Sequence, residues 1–121
     1  MELGPTLNRR ELQRYLDRIG DRWPIETALL GGARVDDAHG APPQRERGPE
    51  FVVILVSSAY EGMPWLKRVY QAGSLWDGLE MGAPADLHCY TPAEFGRKRE
   101  TLRAVREALD RGVDLLAQAP A

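Results

Sequence analysis

The sequence predicts an α/β or α+β domain built on one small mixed sheet of three to four strands with flanking helices. Segments with helical and strand-like patterns alternate along the chain. The run FVVILV, residues 51–56, is continuously apolar and is typical of a strand covered on both faces. A chain of 121 residues can bury roughly two-thirds of its extended surface, which suits one core but not two. We therefore expect a single domain over residues 1–121.

The first half of the chain predicts a helix, a strand and a loop. Asn8 is suited to cap a helix that ends at Gly20. Residues 25–30 follow as a short strand that ends at the double glycine of positions 31–32. Residues 36–49, DDAHGAPPQRERGP, contain three prolines, two glycines and no apolar periodicity, which predicts a loop. The apolar face of the helix is predicted as Leu12, Tyr15, Leu16 and Ile19.

Residues 50–58 predict the central strand, and a second long helix is expected after it. Pro64 suits the first turn of that helix, and Gly82 with Pro84 marks its end. Trp65 is expected to be a packing anchor rather than part of a ligand site. The core-facing stripe of the helix is predicted as Leu66, Val69, Tyr70, Gly73, Trp76 and Leu79.

Residues 86–90 predict a third strand with Asp86, His88 and Tyr90 on one face. Alternate residues of a strand lie about 6 to 7 Å apart, which argues against a direct hydrogen bond between Asp86 and His88. This spacing favours a partly buried histidine, and a proton-transfer or metal-binding pair is the alternative. Tyr90 is expected to be structural.

Two helices and a short strand are predicted at the end of the chain. Thr91 and Glu94 have the spacing of a capping box, and a longer helix follows and ends at Gly112. Residues 113–116 are expected to add a final strand. The basic residues of this region are expected to form a solvated face, and a docking surface for an acidic partner or RNA is the alternative: Arg97, Lys98, Arg99, Arg103 and Arg106.

Composition excludes several classes of protein. Sixteen basic and eighteen acidic residues give a net charge of −2, so no long-range field favours nucleic acid. Cys89 is the only cysteine, which rules out an internal disulfide, and with two histidines it lacks zinc-ligand spacing. No apolar run approaches the roughly 18 residues of a membrane span, and residues 1–10 lack the apolar stretch of a signal peptide. We expect a cytoplasmic protein without membrane contact.

Four short motifs occur in an order that matches a known family. ALLGG, residues 28–32, ends a strand in two glycines, and ADL, residues 85–87, places an acid between apolar neighbours. YTPAEF, residues 90–95, and DRGVDLL, residues 110–116, close the chain. Over nearly the whole chain these segments resemble the minimal nucleotidyltransferases of the polymerase-beta-like superfamily. The closing segments are the most specific part of the resemblance.

The resemblance implies a metal site with one ligand missing. In that family the strand after the glycine turn begins with an acid, an apolar residue and a second acid, and a neighbouring strand adds a third acid. Such carboxylates hold two Mg²⁺ ions about 3.5 to 4 Å apart, which neutralise a triphosphate and activate an acceptor hydroxyl. Here Glu50 matches the first acidic position, but Val52 stands at the second. Valine offers no oxygen to Mg²⁺.

The remaining site residues follow from the same resemblance. Glu50 and Asp86 would be the catalytic and metal-binding carboxylates, and would hold a single Mg²⁺ weakly. Gly31 and Gly32 would let backbone N–H groups meet the phosphates of a nucleoside triphosphate such as ATP, with Arg34 as a third nucleotide-binding residue. The alternative for Arg34 is a surface position on a short helix. Glu26, Asp36 and Asp37 are the acids placed to compensate for the missing carboxylate, but a loop fixes a ligand less well than a strand does, so we do not expect compensation.

Two functions from different classes are compatible with these residues. The first is a catalytically weak or inactive nucleotidyltransferase-fold protein that binds a partner or a nucleotide in an antitoxin-like or regulatory role. The resemblance implies a helical HEPN-type protein as that partner. The alternative is an active Mg²⁺-dependent enzyme that moves a nucleotide from a nucleoside triphosphate to a protein or small molecule. An oligomeric structural protein is a third interpretation. Val52 favours the first function, a catalytically weak or inactive binding protein.

Overall fold

Within residues 7–38 and 49–118, which the computed structural model describes apart from the side chains of 36–38 and 118, four strands form one mixed sheet. They are β1 (Thr27–Gly31), β2 (Phe51–Val56), β3 (Ala85–Tyr90) and β4 (Val113–Asp114), in the order β3-β2-β1-β4. β1 is antiparallel to β2 and β4, whereas β2 is parallel to β3. The predicted fold class, a small mixed sheet with flanking helices, is confirmed.

Helices of very different length flank the sheet in this part of the chain. A single turn of 3-10 helix, Ser58–Tyr60, follows β2. The α-helices are α1 (Arg9–Arg22), α2 (Ala33–Ala38), α3 (Trp65–Ser74), α4 (Gly78–Met81), α5 (Pro92–Thr101), α6 (Arg103–Arg111) and α7 (Leu115–Gln118). None of the helices in the described ranges is both long and apolar enough to cross a lipid bilayer.

Both faces of β2 are buried, which explains why its sequence shows no alternation of polar and apolar residues. One face joins the larger apolar cluster, to which α1 contributes Tyr15 and Ile19. The other face carries Val52, which belongs to a smaller cluster with Val105 and Ala108 of α6. β2 lies inside the sheet between β3 and β1, so its prediction as a central strand is confirmed.

The first helix begins as predicted and ends later. The side chain of Asn8 accepts a hydrogen bond from the Glu11 N–H at 3.0 Å, which confirms the cap. The predicted end at Gly20 is wrong, because the helix continues to Arg22 and Trp23 adopts extended backbone. Gly20 is exposed and no heavy atom lies within 4 Å of an added Cβ, so nothing at that position requires a turn.

The predicted loop of residues 36–49 is partly helical. Residues 36–38 form the last turn of α2, which the sequence had assigned to the loop. Residues 39–48 lie outside the described residues, and Pro49, the last residue of the predicted loop, belongs to no helix or strand. Arg34 stands on this short helix, as one of its two interpretations expected.

The predicted single helix from Pro64 to Gly82 is wrong, because it is divided into α3 and α4. Leu75 caps the C-terminus of α3, and the side chain of Asp77 then caps α4 by accepting from the Glu80 N–H at 3.0 Å. Gly82 has a φ of 90° and ends α4 in the left-handed conformation that suits glycine.

The predicted core stripe of this region is also partly wrong. Leu66 and Tyr70 are each 77% exposed, and Leu79 is nearly fully exposed. Arg68 and Ala72 face inward instead, so the buried face of α3 is rotated from the predicted one. Leu66 and Tyr70 are four residues apart, as on a buried helix face, whereas the observed buried pair includes a charged residue, so the apolar pattern indicated the wrong face.

The end of the chain follows its prediction with two differences. Thr91 and Glu94 form both hydrogen bonds of the capping box, which is thereby confirmed. α5 has ten residues and α6 has nine, so the second helix is not the longer one. The predicted strand over 113–116 is limited to Val113–Asp114, and Leu115 begins a helical turn.

Candidate functional site

The double glycine brings the chain close to the start of β2. Gly32 has a φ of 106°, and a Cβ there would lie 2.6 Å from the Glu50 carbonyl oxygen. The N–H groups of Ala33 and Arg34 donate to the carbonyls of Pro49 and Glu50, each at 3.0 Å. These two N–H groups, which follow the double glycine, are therefore bonded within the chain and are not free to meet a phosphate.

Arg34 and Glu50 form an ion pair beside this turn. The Arg34 Nε donates to Glu50 Oε2 at 3.1 Å, and its Nη2 donates to the Gly82 carbonyl at 3.1 Å. The guanidinium carbon lies 6.0 Å from the ring centroid of Phe51. The sequence marked Gly82 only as a helix end, so its contact with Arg34 was not predicted.

Asp86 lies directly across from Val52 in the sheet. The two Cα atoms are partners in the parallel ladder between β2 and β3, so the side chains share one face. The Asp86 carboxylate is half exposed, whereas Val52 is 7% exposed within its apolar cluster. A buried aliphatic side chain therefore stands at the second acidic position of the metal site that the resemblance implies.

A chain of hydrogen bonds runs along β3 from Asp86 to Tyr90. His88 Nε2 is 3.1 Å from Asp86 Oδ2, and His88 Nδ1 is 2.9 Å from the Tyr90 hydroxyl. The prediction that Asp86 and His88 do not bond directly is wrong, because their side chains lean toward each other along the strand. A carboxylate only accepts, so Nε2 carries the proton and Nδ1 accepts from Tyr90 in the neutral imidazole.

Tyr90 is the buried end of this chain of groups. Burial raises the pKa of its hydroxyl to about 12, and the nearby charge of Asp86 acts in the same direction. Its ring lies 5.4 Å from that of Trp65 between centroids. Tyr90 therefore stays a neutral hydrogen-bond donor to His88 near pH 7.

Comparisons with known proteins relate the chain to one solved structure by its fold. No protein-family model matches the sequence, and no curated protein matches it either. The structure superposes on that of a putative nucleotidyltransferase from Sulfolobus solfataricus with a TM-score of 0.52. The two are 12% identical, and the match covers 88% of this chain and 77% of that chain. The fold is nucleotidyltransferase-like. Similarity at this level of identity concerns the fold and leaves the site to its own residues.

The side chains at the position where the sequence resemblance implies a metal site do not match the oxygen donors that a pair of Mg²⁺ ions requires. Mg²⁺ takes carboxylate and carbonyl oxygens in octahedral geometry, and one carboxylate here is already paired with a guanidinium. In the described ranges, 7–38 and 49–118, no three His, Cys, Asp or Glu side chains are grouped to hold a metal. We therefore derive no step through a bound metal.

The acids considered as replacements do not change this conclusion. Glu26 accepts from the Ser58 N–H at 2.7 Å, and it precedes β1 at the end opposite to the glycine turn. Glu26 therefore does not replace the missing carboxylate. Asp36 and Asp37 lie in α2, and their side chains are outside the described part of the chain.

The basic residues of α5 and α6 lie on an exposed surface, as predicted. Arg103 pairs with Glu107 at 2.8 Å, and Arg111 pairs with the same carboxylate at 3.6 Å. Arg99 lies over the ring of Phe95. These contacts are typical of a solvated helix face. Docking of an acidic partner or RNA on this surface stays the untested alternative.

Proposed function

We propose that this chain is a nucleotidyltransferase-fold protein that acts by binding a partner and does not transfer nucleotides at a useful rate. The observation that carries the proposal is the position of Val52, buried in register with Asp86. In two-metal chemistry a carboxylate at this place would be shared by both ions. A valine side chain supplies no oxygen donor, and this one packs within an apolar cluster.

The charges around Val52 support the same proposal. Glu50 is neutralised by Arg34, and Asp86 accepts a hydrogen bond from His88. Each carboxylate thus already has a partner within the chain. A triphosphate would need a divalent cation to offset its charge, and the Asp86 carboxylate, which no positive group in the described part of the chain neutralises, would repel it.

A helical protein of the HEPN type is the partner that we propose. Leu66 and Tyr70 support a protein partner, because they are four residues apart on α3 and both are largely exposed. Neighbouring apolar side chains on one helix face form a surface that a second helix covers well. An antitoxin-like or regulatory role is consistent with such binding, since neither requires turnover.

The proposal predicts that the purified protein releases no pyrophosphate from ATP, GTP, CTP or UTP above the rate without protein, with Mg²⁺ or Mn²⁺ present. An active nucleotidyltransferase measured in parallel shows that the assay works. Val52→Asp restores the missing carboxylate, and metal-dependent release by this variant alone would support loss of a single ligand. Release by the wild type that disappears in Asp86→Ala would contradict the proposal and establish the active enzyme instead.

Nucleotide binding without turnover, the other activity expected of an inactive member, is tested by a separate measurement. Calorimetric titration with ATP should give the same result with Mg²⁺ and with EDTA, because no metal links the triphosphate to this site. Asp86→Ala serves as the matched variant. ATP binding that needs Mg²⁺ and is lost in Asp86→Ala would show a working metal and triphosphate site.

A further inference from the structure

The strand β3 has one side that no other described strand covers. It lies at the edge of the sheet, with β2 as its neighbour. The Tyr90 carbonyl accepts from the N–H of Ser57, which follows β2, at 3.0 Å. The main-chain groups of successive strand residues point to opposite sides, so those of the even-numbered residues of β3 point to β2. The residues whose N–H and C=O groups point away from the sheet are Ala85, Leu87 and Cys89.

Side chains close both ends of this open edge. Trp76 Nε1 donates to the carbonyl of Ala83, before β3, at 3.0 Å. Arg68 Nη1 donates to the carbonyl of Cys89, near the end of β3, at 3.1 Å. Between these two points, no residue of the described ranges outside the sheet bonds the N–H or carbonyl of Leu87. Free main-chain groups on an edge strand are a template for pairing with another strand.

The side chains of β3 complement those of a second β3. Two copies of one strand that run antiparallel are related by a twofold axis. With the axis at Leu87, the two Leu87 residues exchange N–H···O bonds, and Asp86 of each copy lies directly opposite His88 of the other. Directly opposite side chains share a face, with Cβ atoms about 4.5 to 5.5 Å apart. A carboxylate acceptor and an imidazole donor therefore meet twice across the same seam.

Other positions of the twofold axis fit less well. An axis at Asp86 places the two Asp86 carboxylates opposite each other, and like charges at directly opposite positions destabilise a strand pair. An axis at His88 needs the Cys89 carbonyl in both hydrogen-bonded pairs beside the axis, and Arg68 already donates to that carbonyl. Charge and hydrogen bonding therefore both favour the axis at Leu87.

We propose that the open edge of β3 is a docking surface for a second copy of this chain, which pairs antiparallel about Leu87 and joins the two four-stranded sheets into one. The inference goes beyond the proposed function, because the contact uses main-chain groups of β3 and leaves Leu66 and Tyr70 of α3 to a different protein. β3 has six residues, so the contact is small. We expect a dissociation constant on the order of 10 to 100 µM.

Sedimentation velocity of the full chain between about 1 and 500 µM tests the dimer, and the wild type should shift from monomer to dimer over this range. Leu87→Pro removes the outward N–H, which an edge strand tolerates, and should raise the dissociation constant at least about tenfold. Leu87→Ala is the matched control, because it shortens the side chain but keeps the N–H. It should dimerise within about threefold of the wild type. Circular dichroism shows whether each variant is folded.

The charge pairing has a separate test. His88→Asp places a carboxylate opposite Asp86 in both pairs and should weaken the dimer at least about tenfold. Combining this change with Asp86→His exchanges the two groups and should recover dimerisation. A merely structural effect of His88 would not be recovered in this way.

Disulfide trapping tests the position of the axis. An equimolar mixture of Asp86→Cys and His88→Cys should form a cross-linked dimer on mild oxidation, because opposite Cα atoms of such a pair lie about 4.5 Å apart. Asp86→Cys alone should not, because the two positions are then diagonal neighbours about 7 to 8 Å apart. The wild type, whose Cys89 is buried, is the blank.

Three results would overturn the inference. A wild type that stays monomeric at about 500 µM would leave this edge to a strand of a different protein. Equal dimerisation by folded Leu87→Pro and Leu87→Ala would show that the edge is not the contact. Cross-linking of Asp86→Cys alone would contradict the axis at Leu87. If Leu87→Pro is unfolded, the charge exchange and the disulfide mixture decide.

Discussion

Gly32→Ala is expected to destabilise the protein by about 3 kcal/mol or more in urea-induced unfolding. Two causes act together at this position. The φ of 106° strains any residue with a Cβ, which costs about 1 to 2 kcal/mol. The new Cβ would also lie 2.6 Å from the Glu50 carbonyl oxygen and 2.8 Å from the Phe51 Cα, in backbone at the start of β2. The turn would have to move away from the sheet.

Gly31→Ala is the matched control for this prediction. A Cβ at Gly31 would meet Ala108 at 3.5 Å, which is an ordinary van der Waals contact, so we expect a change within about 1 kcal/mol. Equal and small effects of the two substitutions would contradict the structural role of Gly32. A stable Gly32→Ala variant that loses ATP binding would show instead that the glycine serves a ligand.

The elements that could be predicted from the sequence are those whose signal is local. The apolar run of β2 indicates burial on both faces wherever it lies, and the Thr91–Glu94 capping box needs only residues three apart. The prediction of a single helix over 64–82 failed because residues 75–77 separate α3 from α4. No proline lies at this break to mark it in the sequence. A helix break that is stabilised by the side-chain cap of Asp77 leaves a weaker signal in the sequence than a proline does.

The site could be predicted only where one residue type decides the chemistry. Val52 lacks an oxygen donor in any surroundings, so its misfit with the metal site that the resemblance implies is visible in the sequence. The pairing of Arg34 with Glu50 joins residues sixteen apart, and that of Arg34 with Gly82 joins residues forty-eight apart. Contacts of this kind depend on tertiary structure and leave no periodic pattern, so the sequence could not show that Arg34 contacts Glu50.

Arg68→Met is expected to destabilise the protein by about 2 to 4 kcal/mol, because the substitution removes a buried charged group and leaves its hydrogen-bond partners unpaired. Arg68 is 6% exposed and donates to the carbonyls of Met63 and Cys89 and to the carboxylate of Glu94. Methionine keeps the length of the aliphatic stem but makes none of these bonds. Urea-induced unfolding measures the loss, and Arg103→Met, in a side chain that is 90% exposed, should change stability little.

Lowering the pH should remove the stabilisation that the Arg68–Glu94 ion pair gives to the wild type. The hydrogen bond from Arg68, followed by those from Thr91, holds the pKa of Glu94 below its ordinary value of 4.5. A carboxyl whose pKa is lower in the folded state stabilises that state above its unfolded pKa, and the benefit is lost as pH falls through the folded pKa. The unfolding midpoint of Arg68→Met should therefore fall less than that of wild type between pH 7 and about pH 3. Parallel acid profiles for the two proteins would show that Arg68 does not set the charge of Glu94.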